Sequence, residues 1–226
     1  MEQLVFELAP PEPPSFGNFV EGGNGEVVAR LGAVARGDAA DTSILLWGAA
    51  GGGRSHLLRA AVAASTRPAV YVATPSELPN EPVEGPALVA VDDVDTADTK
   101  AQGRLFTLFN RLQESGGCLV TSASAPAARL RLRDDLRTRL GSGLVYEVVP
   151  LSDLDKPEAL FRYARARGFR LGEDVIRYLL AHGRRDMGTL VRVLGALDRH
   201  SLAAKRAITV PMLRQWLQRD LPWRGE

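Results

Sequence analysis

Gly48-Ala49-Ala50-Gly51-Gly52-Gly53-Arg54-Ser55 follows the apolar run Ile44-Leu45-Leu46-Trp47 and precedes Leu57, Leu58, Ala61 and Val62 at helical spacing. Strand, glycine-rich turn and helix in that order form a phosphate-binding loop, in which backbone N–H groups at a helix N-terminus cradle an anion. The general pattern is Gly, four residues, Gly, Lys, then Ser or Thr. Gly48, Gly53 and Ser55 fit it, with Gly51 and Gly52 inside the turn and His56 just after it; Arg54 stands where lysine is expected. A loop lysine is a compact point charge reaching the terminal phosphates, whereas arginine is a longer planar fork and not an equivalent replacement. The loop therefore predicts a nucleotide fold with poor hydrolysis of its own. Any bound nucleotide is expected to have its phosphates on the loop and a Mg²⁺ touched by the Ser55 hydroxyl.

Working outward, short apolar strands alternate with helices. Strands are expected at Ile44–Trp47, Ala69–Ala73, Ala87–Val91, Gly117–Ser122 and Leu144–Val149, and helices at Ser55 to Ser65 and Lys100 to Glu114. This predicts an α/β domain with a parallel sheet covered on both faces, over residues 15–150. Thr74 to Pro86 contains four prolines and is too short for a full crossover helix. From Asp155 the pattern is all helical: a helix to Arg167 opened by a capping box, Asp155 with Glu158, and Pro157 in its first turn, then Glu173–His182, Met187–His200 and Pro211–Arg219. Residues 151–226 are thus expected to form a small helical lid. Residues 1–14 form a third segment, Gln3-Leu4-Val5-Phe6-Glu7-Leu8 followed by Pro10, Pro11, Pro13 and Pro14. The prolines make a stiff strap, and the hexapeptide is either an edge strand or a peptide free to dock in another protein's groove.

Three further stretches carry candidate chemistry. Asp92-Asp93 ends the apolar run Ala87–Val91, where Asp92 suits the water shell of Mg²⁺ and Asp93 a hydrolytic base. Thr121-Ser122-Ala123 ends the fourth strand, where a polar side chain would sense a terminal phosphate; Ala123 cannot. Arg129, Arg131, Arg133, Arg137 and Arg139, interrupted by Asp134 and Asp135, are either a solvated basic face or a surface offering an arginine to a neighbour's nucleotide.

Composition narrows the classes. Net charge is +1 over 226 residues, but residues 1–100 hold 6 basic and 14 acidic side chains and the rest 22 and 13. Two lobes with complementary surfaces, or a basic lobe facing DNA or an acidic partner, both fit. Only Lys100, Lys156 and Lys205 are lysine, a bias that weakens inference from surface arginines in general. Cys118 is the single cysteine, so an intrachain disulfide is excluded and a reducing interior expected; its apolar surroundings predict a buried thiol. No stretch reads as a secretory signal or approaches the roughly 20 apolar residues of a membrane span. A cytoplasmic protein is expected. His56, His182 and His200 have no companions at metal-ligand spacing.

Ser15-Phe16-Gly17-Asn18-Phe19-Val20-Glu21-Gly22, Ile44-Leu45-Leu46-Trp47-Gly48, Asp92-Asp93 and Asp135-Leu136-Arg137-Thr138-Arg139-Leu140 together resemble the AAA+ core of the replication initiator DnaA, from about residue 15 onward. The Hda branch of that family is resembled in particular by Gly53-Arg54-Ser55-His56-Leu57-Leu58, by Pro150-Leu151-Ser152-Asp153-Leu154-Asp155-Lys156, and by Gln3, Leu4, Phe6 and Leu8 as a β sliding clamp-binding peptide, with Val5 and Glu7 departing from its usual form. The resemblance implies a negative regulator of replication initiation, tethered to the DNA-loaded clamp, that stimulates hydrolysis of DnaA-bound ATP with an arginine finger in trans. Arg139 would be that finger, with Arg137 the competitor; such fingers are worth roughly 10³–10⁵ in rate. The lid arginine that AAA+ proteins direct at nucleotide falls at Gly188, with Arg184 and Arg185 a turn earlier. Self-association, including a homodimer, a place at the nucleoid or replisome, and ADP, or ATP, with Mg²⁺ at the loop are further family expectations. With no room for the initiator's helix-turn-helix domain, sequence-specific DNA binding is not expected. An autonomous ATPase of the helicase-loader type and a nucleotide-free adaptor bridging clamp and initiator are the alternatives.

Overall fold

A computed structural model describes residues 13–79, 85, 87–183, 186–204 and 206–219. Gln3, Leu4, Phe6 and Leu8, expected to form a clamp-binding peptide, and Arg184 and Arg185 lie outside the described residues. The chain divides into two compact units, one spanning Pro14–Pro150 and the other beginning at Leu151.

The first unit is built on five parallel strands: β1 (Ser43–Trp47), β2 (Ala69–Val72), β3 (Leu88–Val91), β4 (Cys118–Ala123) and β5 (Leu144–Glu147), in the order β2-β3-β4-β1-β5. The central strands β3 and β4 are buried at every position, as required of a parallel sheet covered on both faces. Helices α1 (Gly25–Arg36) and α2 (Arg54–Ala63) pack on one face, where Leu31, Val34, Leu57 and Leu58 meet Ile44, Leu46, Ala90 and Val120. Helices α3 (Thr99–Ser115) and α4 (Asp134–Ser142) cover the other, where Leu105, Phe109, Leu136 and Leu140 meet Leu45, Val89 and Leu119. Asp98 caps α3 by accepting from the Ala101 N–H at 2.7 Å, and Gly116, in left-handed conformation, ends it. The described part of the proline-rich crossover forms only a 3₁₀ turn at Pro75–Glu77.

Two helices were not expected from the sequence. Helix α1 is tied to the sheet by Asn24, which is buried: its Nδ2 donates to the Val149 carbonyl at 2.9 Å and its Oδ1 accepts from the Val149 N–H at 2.8 Å. Helix α4 runs through the arginine cluster, burying Leu136 and Leu140 one turn apart while Arg137 and Arg139 are half-buried.

The second unit holds α5 (Lys156–Ala166), α6 (Glu173–His182), α7 (Met187–Ala204) and α8 (Val210–Arg219) around Leu160, Val175, Leu179, Leu190, Leu194 and Leu213. The capping box expected at the start of α5 is not formed. The Asp155 carboxylate instead accepts from the Ser152 hydroxyl at 2.6 Å, which takes it away from the helix N–H groups. Inside the bundle, Arg167 Nε donates to the buried Asp198 carboxylate at 3.1 Å. Among the described residues, no helix is long and apolar enough to cross a membrane.

Candidate functional site

The glycine-rich loop leaves β1 at Gly48, whose φ of 154° sets it hard against β5: a Cβ there would sit 2.5 Å from the Val148 carbonyl oxygen. Gly53, at φ 102°, is covered by the Phe19 ring, 2.7 Å from where its Cβ would lie. Only glycine permits both approaches. Between them Gly51 is also left-handed, and a Gly52 N–H to Ala49 carbonyl bond of 3.2 Å closes the turn. Arg54 begins α2, and the first N–H groups of such a helix lack acceptors within the helix. Ser55 is exposed on the first turn.

The segment before α1 clamps this loop. His56 Nε2 lies 2.9 Å from the Ser15 carbonyl, which can only accept, so Nε2 carries the proton. The imidazole also packs against Phe19 with centroids 5.3 Å apart. Burial is the main cause holding His56 below the ordinary imidazole range, with Arg59 acting in the same direction and the Ser15 bond opposing both.

The strand ends opposite the loop carry a closed polar network. Asp92 is 3% exposed. Its Oδ2 accepts from the Tyr71 hydroxyl at 2.8 Å and its Oδ1 from the Ser122 hydroxyl. Ser122 Oγ in turn accepts the Asp93 N–H at 2.9 Å. Thr121 is fully buried and donates to the Ile44 carbonyl at 3.4 Å. Of the two polar side chains at this strand end, one therefore serves the acid pair and the other the sheet. Tyr71, a residue the sequence reading did not single out, carries Arg59 over its ring at 4.8 Å. Burial and its bond to Asp92 raise its phenol pKa.

Asp93 adopts a left-handed conformation with φ 47°, uncommon for a residue with a side chain. This turns its carboxylate to Arg54, whose Nη2 lies 3.6 Å from Asp93 Oδ1. Arg54 Nη1 donates to the carbonyl of Ala123. The loop arginine thus bridges the ends of β3 and β4. Burial, then Asp92, raise the Asp93 carboxyl above its ordinary value, and Arg54 only partly offsets them. Among the described residues no group of three or more His, Cys, Asp or Glu side chains is placed to hold a metal ion.

In the arginine cluster, Arg133 pairs with Asp135 at 2.6 Å and Arg137 with Asp134 at 2.7 Å. No carboxylate lies within ion-pair distance of Arg139 among the described residues; its guanidinium lies over Phe106 at 4.5 Å and near Phe109 at 5.6 Å. In the lid, Gly188 is exposed in the first turn of α7, where Asp186 accepts the Thr189 N–H at 2.8 Å. The lid also has a groove of about 480 Å³ between α5 and α6, lined by Pro157, Phe161, Ile176 and Leu180 among others.

Comparison with known proteins places both units. Residues 153–217 match the family described as Hda, lid domain. The chain is similar in structure to domain III of the Thermotoga maritima replication initiation protein DnaA, with a TM-score of 0.80 and 18% identity over 93% of this chain and 98% of that one. AMPPCP-bound DnaA from Aquifex aeolicus gives a TM-score of 0.69 at 20% identity, covering 83% of this chain and 65% of that one. The Thermotoga maritima RuvB Holliday junction branch migration motor gives 0.67 at 15% identity, covering 91% and 72%. With these likenesses the strand order β2-β3-β4-β1-β5 and the loop after β1 are those of an AAA+ core. The chain thus has an AAA+-type α/β fold similar to that of DnaA domain III, followed by a helical unit that is similar to the Hda lid domain over residues 153–217.

Proposed function

We propose that the protein is a negative regulator of replication initiation that acts on ATP held by DnaA, with the Gln3, Leu4, Phe6 and Leu8 peptide tethering it to the DNA-loaded β sliding clamp. Tethering through a short strap raises the local concentration of one bound protein near another without any new contact. Arg139 is the group we assign to the partner's ATP. The observation that carries this assignment is the absence, among the described residues, of a carboxylate partner at Arg139, while Arg133 and Arg137 are each paired with an aspartate. A finger works by meeting negative charge that develops on a transferring phosphoryl group, and a guanidinium already neutralised by its own chain is poorly suited to that.

The glycine-rich loop is, in this reading, a nucleotide site of regulatory use, with ADP as its ligand. Intrinsic hydrolysis is disfavoured by the Arg54 contact to Asp93, the candidate base. An autonomous ATPase of the loader type would need that carboxylate facing a water, and would need the loop cation on the terminal phosphate.

The test is hydrolysis by ATP-loaded DnaA, measured with the full chain and with clamp-loaded DNA. Stimulation is expected only when all three components are present, and Gln3→Ala with Leu4→Ala should abolish it together with clamp binding. Stimulation that survives both substitutions undiminished would remove the tether from the account. Turnover of ATP by the isolated chain at the stimulated rate would favour the autonomous ATPase.

A further inference from the structure

This inference rests on reading Gly48–Ser55 as a nucleotide site. Phosphate loops of this kind hold Mg²⁺ through the loop hydroxyl and a strand-end carboxylate. Ser55 is exposed and suits the first role. The carboxylates do not suit the second. Asp92 is 3% exposed, with one oxygen bonded to the Tyr71 hydroxyl at 2.8 Å and the other to the Ser122 hydroxyl. That burial leaves no face on which to meet a hydrated ion, and turning the carboxylate outward would strand two hydroxyl donors. Asp93 presents its carboxylate to Arg54 at 3.6 Å. The Arg54 side chain is only 12% exposed and is anchored to the Ala123 carbonyl. A cation anchored to the sheet is therefore already supplied at this site by the chain, while no carboxylate is placed to help hold a divalent one.

We propose that the loop takes a nucleoside diphosphate without a divalent cation, the Arg54 guanidinium exchanging Asp93 for a phosphate oxygen. Three features suit that exchange. A guanidinium fork matches phosphate geometry and keeps its charge at any physiological pH. The Asp93 carboxylate is a weak competitor, because at 3.6 Å it lies beyond hydrogen-bond distance of the guanidinium and half of it is exposed to solvent. Ala123 contributes no polar side chain that would help neutralise a third phosphate. The loop arginine then supplies a planar fork, anchored at the Ala123 carbonyl, in the place of a recruited metal.

Binding of methylanthraniloyl-ADP to the full chain, followed by fluorescence anisotropy in EDTA and in millimolar Mg²⁺, tests the proposal. The dissociation constants should agree within about threefold. Affinity about tenfold or more tighter in Mg²⁺ would overturn it. Absence of saturable binding in both buffers would instead remove the nucleotide-site reading on which it rests. Arg54→Ala should weaken binding about tenfold or more in both buffers. Asp93→Asn, which removes the competitor for the guanidinium, should bind as tightly as wild type or tighter; weaker binding by that variant in EDTA would contradict the exchange.

Discussion

The guanidinium carbon of Arg139 sits 4.5 Å from the centroid of the Phe106 ring. Phe106 belongs to α3 and Arg139 to α4, so two helices on one face of the sheet combine to hold a cation that has no carboxylate among the described residues. The ring face attracts the charge yet leaves the N–H donors free. A side chain so held loses less freedom when it meets a phosphate than an arginine waving in solvent would.

From this contact, Phe106→Ala should lower stimulation of DnaA-bound ATP hydrolysis by about two- to fivefold, the range of an exposed cation–π interaction of about 0.5–1 kcal/mol. Phe106→Trp, which keeps a ring face, should restore it. Single-turnover hydrolysis at saturating regulator separates this positioning effect from weaker binding. Equal rates for all three proteins would show that the ring does not position the arginine.

The pairing of His56 with Ser15 gives the fold a pH dependence. The folded protein holds His56 below its ordinary value of 6.5, so the unfolded chain binds the proton more readily. Stability rises with pH wherever the unfolded state carries more protons. The contribution is therefore fully present above 6.5 and is lost as pH falls from there toward the lowered folded value. Wild type should lose melting temperature between neutral pH and pH of about 5.5. His56→Gln, which keeps a donor near the Ser15 carbonyl but cannot take up that proton, should show a smaller loss over the same interval. Identical slopes would assign the acid sensitivity to other groups.

Arg167 and Asp198 form a buried ion pair inside the lid, 3.1 Å apart. Removing one partner of such a pair leaves a charge without compensation and costs about 3–5 kcal/mol. Asp198→Ala should therefore destabilise the protein strongly in urea unfolding, whereas replacing both residues with apolar ones of similar volume should recover most of the loss. A single substitution costing under about 1 kcal/mol would mean that water reaches the pair and screens it.

What could be read from the sequence divides along the range of the interactions involved. Strand β1, the glycine-rich loop and α2 are legible because apolar run, glycine pattern and helical spacing are adjacent in the chain. Helix α1 was missed because Gly25 and Gly32 punctuate it, although Val27, Leu31, Val34 and Ala35 do follow the helical period. Helix α4 was hidden by its arginines, with only Leu136 and Leu140 marking the buried face. The cap expected of Asp155 failed because a serine three residues earlier competes for the same carboxylate. In the site, the identities of Arg54, Asp92 and Asp93 were readable but their partners were not. The bonds from Tyr71 to Asp92, from His56 to Ser15 and from Asn24 to Val149 join residues 21, 41 and 125 positions apart. Only the folded sheet brings such groups together. The pairing of Arg137 with Asp134, one turn away, is a fact of the same kind.

Supply of Arg139 to another protein's ATP can be measured by single-turnover hydrolysis of DnaA-bound ATP with clamp-loaded DNA and either Arg139→Ala or Arg137→Ala. Arg139→Ala should lose stimulation by roughly 10³-fold, as removal of a finger does, while keeping clamp binding, and Arg137→Ala should stay near the wild-type rate. A wild-type rate with Arg139→Ala, or the large loss falling on Arg137→Ala instead, would contradict the account.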